Sequence, residues 1–516
     1  MCSPIGPRRC RAPLLSLIVA LAGLAGLPSR GDSDEPFELQ TASIPGRPLD
    51  VFAVPPTGTA QHVVAVGIAG TVPDERRTLA FFPAGRDAAG PLAEPSLFEV
   101  PSAVVGFDVA DLLPGGGVEV ALLSARELTI TRPGANRPLR TRTFTPPLPL
   151  PTRTRGVSRL SFLRPWGGGD VLSALVPSLD GLRHVPIGEG PVVALPVPLE
   201  TRYDVMDPTV GVRAGALDAY IAWPQVALAD DNGDGFDDLF ALTRYDVVVF
   251  HAGPAGLAST PSRQVSLRPF TPKEELRHLA TSLSLYAHDL DGDGLADLVL
   301  HRTIGTLLNS RSETLIFRNS GGGADPSGVP DLTLADEGGF GAIFLRDVDG
   351  DGRSELLQTL VPFGVIQLMR VLVTERVQAK FRLLRFPGAG VAETETSWEE
   401  DLALPLDFSN GRISGVVPTL AGDLNGDGHR DLVWGESLDE LSIRLGEPGA
   451  KGPRFGPRVA RQKIPAGERA LVADLDSDGL DDLVLYDTMD ASGQLHVLRN
   501  RGKLPGSPSS LEPAPE

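Results

Sequence analysis

The chain has 516 residues, of which 41% are hydrophobic and only 6% aromatic, with 58 Gly, 47 Pro and a formal charge of −19. That apolar share supports a packed core and excludes a disordered chain. The acidic balance excludes nucleic acid as a partner, and the glycine and proline content favours many short strands and turns over helices.

Residues 1–30 read as a secretory signal. Arg8, Arg9 and Arg11 precede an apolar run from Leu14 to Leu27, and an uncleaved anchor is the alternative. No later stretch reaches the ~18 apolar residues of a membrane-spanning helix, so no stable span is expected once the signal is removed. Both cysteines, Cys2 and Cys10, fall inside this segment, so disulfides are not expected to hold the mature chain. A secreted, periplasmic or cell-surface location follows.

After the signal, Phe37 to Thr41 is a lone strand. Three units follow it. His62 to Gly67 leads to Leu79 to Phe82. Val104 to Asp108 turns through Gly115 to Gly117 into Glu119 to Leu123. Leu160 to Leu163 turns through Gly167 to Gly169 into Asp170 to Leu175. Each pairs a strand with a turn and a second strand but lacks clustered carboxylates, so no metal is expected there.

From residue 225 onward the same rhythm carries a nine-residue acidic loop, five times over. Positions 1, 3, 5 and 9 are Asp230, Asn232, Asp234 and Asp238 in the first copy, and Asp289, Asp291, Asp293 and Asp297 in the second. They are Asp347, Asp349, Asp351 and Glu355 in the third, Asp423, Asn425, Asp427 and Asp431 in the fourth, and Asp474, Asp476, Asp478 and Asp482 in the fifth. Position 6 is always Gly, which bends the chain back on itself. Carboxylates crowded in a tight bend repel one another and raise each other's pKa. A hard cation with oxygen ligands removes that conflict, so about five Ca²⁺ sites are expected. Position 7 is Phe236, Leu295, Arg353, His429 or Leu480, and there the backbone carbonyl is expected to reach the ion. Position 12 holds Ala241, Leu300, Gln358, Trp434 or Leu485 instead of the Glu an EF-hand requires.

A nine-residue acidic loop running straight into an apolar strand resembles the calcium loop of the FG-GAP (VCBS-type) repeat of integrin α-subunit propellers and many secreted bacterial proteins. The resemblance covers about 225–500 strongly and 37–200 weakly. Counting the degenerate units gives eight, and each has the size of a four-stranded blade. The expected fold is an all-β propeller over 37–500, most simply with eight blades and with seven as the alternative. The last unit lacks a fourth strand, and Phe37 to Thr41 is expected to supply it and close the ring. Two longer units, around Tyr203 to Asp218 and within Val371 to Ser414, are expected to project from one face. Residues 501–516 are rich in Pro and Ser and are expected to form a disordered tail.

There is no H-E-x-x-H or C-x-x-C pattern for zinc, no G-x-S-x-G elbow and no phosphate-binding glycine loop. Trp434 is expected in the core and Trp398, among acidic neighbours, at the surface. The function expected is a non-catalytic, calcium-stabilised binding or adhesion module for an extracellular protein or glycan. The alternative is a polysaccharide lyase on the same scaffold, which would need a base and a positive group for the sugar carboxylate.

Overall fold

The computed structural model describes residues 35–507, apart from 58–59, 72–73, 85–91, 93, 114–116, 136, 152–155, 167–171, 206–216, 278–279, 307–308, 363, 387, 389–393, 408–411, 414, 421 and 466. Residues 1–30, expected above to be an export signal, and residues 508–516 lie outside the described residues. Eight antiparallel sheets of four main strands succeed one another along the chain. Their first strands begin at Arg47, Val104, Leu163, Gln225, Ala280, Gly339, Thr419 and Arg469. They form the blades of an eight-bladed β-propeller, numbered here 1–8.

Blade 8 shows how the ring closes. Its own segments are Arg469–Ala473, Asp482–Tyr486 and Gln494–Asn500, and Phe37–Ser43 pairs antiparallel with the last of these, from Phe37 opposite Asn500 to Ser43 opposite Gln494. The strand expected to be spare is thus the fourth strand of the final blade. Closure satisfies two backbone edges that would otherwise be open to other chains.

The second strands are largely buried on both faces, and in Asp238–Leu242 and Asp482–Tyr486 the residues after the first aspartate are apolar throughout. Successive side chains point to opposite faces of a strand. In Asp482–Tyr486, Leu483 and Leu485 pack into a cluster with Val433, Leu441 and Ile443 of blade 7. Val484 and Tyr486 pack on the other side with Val51, Val63 and Phe82 of blade 1. Eight such clusters join each blade to the next around the ring.

A four-stranded antiparallel blade sends its first-to-second and third-to-fourth turns to one end of the ring. Its second-to-third turns and the blade-to-blade links go to the other. All five acidic loops are first-to-second turns, of blades 4 to 8, and so share one end. The added pieces lie at the opposite end. A hairpin of Glu200–Val205 and Leu217–Ala222 sits in the link between blades 3 and 4. A short helix, Pro272–Leu276, lies in the next link, and a helix Val365–Thr374 fills the second-to-third turn of blade 6. The expectation that the longer units project from one face falls largely outside the described residues, at 206–216 and 389–393, and the third-to-fourth turn of blade 6, between Arg385 and Glu395, belongs to the acidic-loop end.

Two expectations are corrected. Residues 501–507 are not loose: the Arg501 N–H donates to the Pro36 carbonyl at 3.0 Å, and Leu504 is buried in the cluster between blades 7 and 8. A single apolar side chain in a Pro-rich stretch is enough to dock it. Trp434 is in the core, but Trp398 is half-buried, with its ring edge-on to Phe455 at 5.0 Å between centroids. Among the described residues, no helix is long and apolar enough to cross a membrane.

Candidate metal centres

The five loops share one hydrogen-bond plan. The carboxylate at position 1 accepts backbone N–H groups from within the bend. Asp289 takes those of Gly292 and Gly294 at 2.8 and 2.9 Å, and Asp347 takes those of Gly350 and Gly352 at 2.7 and 3.0 Å. Position 5 accepts the N–H of position 7: Asp234 from Phe236, Asp293 from Leu295, Asp351 from Arg353, Asp427 from His429 and Asp478 from Leu480, at 2.8–3.0 Å. Position 6 has φ between +83° and +89° in every copy, and a Cβ there would meet nothing within 4 Å. Glycine is therefore required by backbone conformation and not by space.

Position 9 forms the floor. Asp238, Asp297, Glu355, Asp431 and Asp482 are each at most 2% exposed. Each accepts the N–H of loop residue 2, namely Asp231, Leu290, Val348, Leu424 and Leu475, at 2.7–3.3 Å. In four copies the second oxygen takes an N–H from the third strand or just past it: Ala252, Asn319, Gly446 and Asn500. Burial, set against these donors and reinforced by the neighbouring carboxylates, raises Asp297, Glu355, Asp431 and Asp482 to about 7 and raises Asp238.

These carboxylates converge. One oxygen each from Asp289, Asp291 and Asp297 lie within 4.8 Å of one another. The same holds for Asp347, Asp349 and Asp351, and for Asp474, Asp476 and Asp478. Several acidic groups could therefore hold a metal ion. A sharper test is what remains unsatisfied. Asp291 gives Oδ2 to Arg318 at 3.2 Å, and Asp476 gives Oδ2 to Arg499 at 2.8 Å, while the Oδ1 of each is buried without a hydrogen bond of ordinary geometry, the backbone of Asp293 being the one further donor that acts on Asp291. Glu355 Oε1 and Asn425 Oδ1 are orphaned in the same way. A buried oxygen without a donor is costly unless something positive meets it. Four of the five loops thus fit a cation. The loop 230–238 fits less closely, because the Asn232 amide is spent on Asp234, both donating to its side chain and accepting from its backbone, at 3.1 and 2.9 Å.

Several supporting residues escape a reading of the loops alone. Arg318, just past the third strand of blade 5, and Arg499, next to last in that of blade 8, each pair with position 3 of their own loop. The asparagine after each, Asn319 or Asn500, also reaches across the blade boundary. Asn319 Nδ2 donates to the Asp231 carbonyl at 2.8 Å, and Asn500 Nδ2 to the Leu424 carbonyl at 2.7 Å. The only sequence signal is a recurring Arg-Asn-x-Gly, at 318–321 and 499–502. His288 stays outside the carboxylate group, with Nε2 3.4 Å from Ser354 Oγ.

No family model matches the chain, and no curated protein does. Among solved structures, the biofilm matrix protein Bap1 of V. cholerae aligns with a TM-score of 0.42 and 11% identity, covering 90% of this chain and 89% of that one. The WD40 domain of SCAP from fission yeast aligns with a TM-score of 0.37 and 11% identity, covering 92% and 98%.

Proposed function

We propose that this protein is an exported, calcium-stabilised binding module of the FG-GAP/VCBS type, acting without catalysis on an extracellular protein or glycan. Residues 1–30 direct export. The acidic loops of blades 4 to 8 hold the ions, with side chains of positions 1, 3, 5 and 9 as the ligand set and the carbonyl of position 7 beside them. The observation that carries this reading is the pair of orphaned oxygens, Asp291 Oδ1 and Asp476 Oδ1, in converging carboxylate groups built alike on two different blades. Calcium favours such a set because it takes many oxygen ligands in flexible geometry.

The ions serve the scaffold, and the partner meets the opposite end. Support for that division is the position of the hairpin and both helices there, together with exposed apolar side chains on the same end: Leu179, Tyr220, Tyr245, Leu276, Leu372 and Val373. Exposed apolar groups gathered on one face mark interaction surfaces. Calorimetric titration of the chelator-treated protein with Ca²⁺ tests the metal assignment. Four to five equivalents should bind, and Asp291→Ala should remove one. Absence of calcium uptake, or uptake unchanged by Asp291→Ala, would refute it.

A further inference from the structure

At the end of the ring opposite the acidic loops lies a cavity of about 320 Å³ with a different chemistry. It opens where blades 2, 3 and 4 meet. Leu123, Leu160, Phe162, Leu175, Leu182 and Val226 make most of its wall. Trp223 closes one side, and its indole N–H donates to the Ser178 carbonyl at 3.2 Å, which fixes the ring in place.

Among the described residues, Arg164 is the one charged residue lining this cavity. Among the described residues its only hydrogen bond runs from Nη1 to the carbonyl of its neighbour Leu163, at 2.8 Å. The carboxylate that acts on it, Asp108, is already engaged. Asp108 Oδ1 accepts from Arg159 at 3.2 Å, and Oδ2 accepts from the Leu163 N–H at 3.1 Å. Among the described residues, two arginines thus share one buried acid, which leaves a positive charge in an apolar wall. Burial lowers the Arg164 pKa, Asp108 opposes that shift, and Arg159 adds to it. A guanidinium so placed is short of an anion, and its planar fork suits a carboxylate.

We propose that the cavity binds a small amphipathic carboxylic acid, with its carboxylate on Arg164 and its medium-length alkyl or aryl-alkyl chain against Phe162, Leu182 and Trp223. The size lies at the lower end of small-ligand sites, which join apolar walls to a few placed polar groups. The wall supplies affinity by burying the chain, and Arg164 supplies selection for the acid. This site is separate from the acidic loops and does not depend on metal.

The test uses octanoate and octan-1-ol, which share a chain and differ in the head group. Each is titrated into the full mature protein by calorimetry, with tryptophan emission followed in parallel. Octanoate should bind at least tenfold more tightly than octanol and should shift the emission of Trp223. Arg164→Met, which retains an unbranched apolar stem, should abolish that tenfold preference while octanol binding stays the same. The proposal is overturned if neither ligand binds, if the two bind wild type equally, or if Arg164→Met takes octanoate as tightly as wild type. Should that variant fail to fold, the comparison of the two ligands on the wild-type protein decides.

Discussion

The backbone N–H of Ala296 lies 2.7 Å from the carbonyl oxygen of Asp230, which ties the eighth residue of one acidic loop to the first residue of the loop before it. Asp481 repeats the contact with Asp423 at 3.1 Å, and the Arg430 N–H reaches the Val348 carbonyl at 2.8 Å. Arg430 Nε adds a bond to the Asp347 carbonyl, also 2.8 Å long. The loops are thus successive links along one end of the ring, and whatever fixes the shape of one bears on its neighbour.

Removal of calcium should therefore lower the stability of the whole ring and not only of single turns. A ligand that binds only the folded state adds about 2.7 kcal/mol per site when present at a hundred times its dissociation constant. Several sites acting on linked loops should give a large difference in melting midpoint between calcium and chelator, measured by scanning calorimetry. Equal midpoints in the two conditions would exclude a structural ion.

Asp291→Asn should change sign with the metal. Burial, and then the neighbouring Asp293, raise the pKa of Asp291. Without an ion, its charge is a cost that an amide does not carry, and the chain already uses Asn at the same position in Asn232 and Asn425. The variant should be more stable than wild type in chelator and less stable in calcium, by on the order of 1 kcal/mol each way. A shift of the same sign in both conditions would count against a cation at that loop.

The parts of this structure legible in the sequence are those written locally. An apolar run such as Leu483-Val484-Leu485 states that both faces of its strand are covered, and Asp289 to Asp297 carries its own bend and its own charges. Ring closure by Phe37 could be argued because a missing strand at one terminus matched a spare one at the other. What stayed hidden depends on residues far apart in sequence. Arg318 and Asn319 matter because the end of a third strand arrives beside the loop of its own blade and the loop of the blade before it, and nothing near them in the chain says so. Trp398 sits among acids in sequence, yet its strand faces Phe455 in space. Leu504 is one apolar residue in a polar tail, too little for a pattern but enough to dock.

Closure itself can be measured. Phe37 is 1% exposed and packs with Leu483, Leu485 and Leu498, whereas Leu39 two residues on is 46% exposed. Phe37→Ala should cost about 3–5 kcal/mol, the usual loss for an aromatic side chain removed from a core. Leu39→Ala should cost well under 1 kcal/mol. Urea unfolding of the two variants at saturating calcium distinguishes them, and similar losses for both would mean that the first strand does not lock the ring.

A buried histidine away from the acidic loops gives a separate pH signature. His301 is 3% exposed, with Nδ1 2.9 Å from Thr314 Oγ1. Burial, opposed by Asp336 and the backbone of Gly341, lowers its pKa below the ordinary 6.5. The unfolded chain then binds more protons than the folded one as pH falls through 6.5, so stability is retained above that value and lost below it. The slope from one such group is at most about 1.4 kcal/mol per pH unit. The acidic loops also titrate in this range, so the informative quantity is a difference at saturating calcium between wild type and His301→Gln, whose side chain is neutral at every pH. From pH 7.5 to 5.5 wild type should lose more unfolding free energy than the variant. Parallel pH profiles would show that His301 does not resist protonation in the folded state.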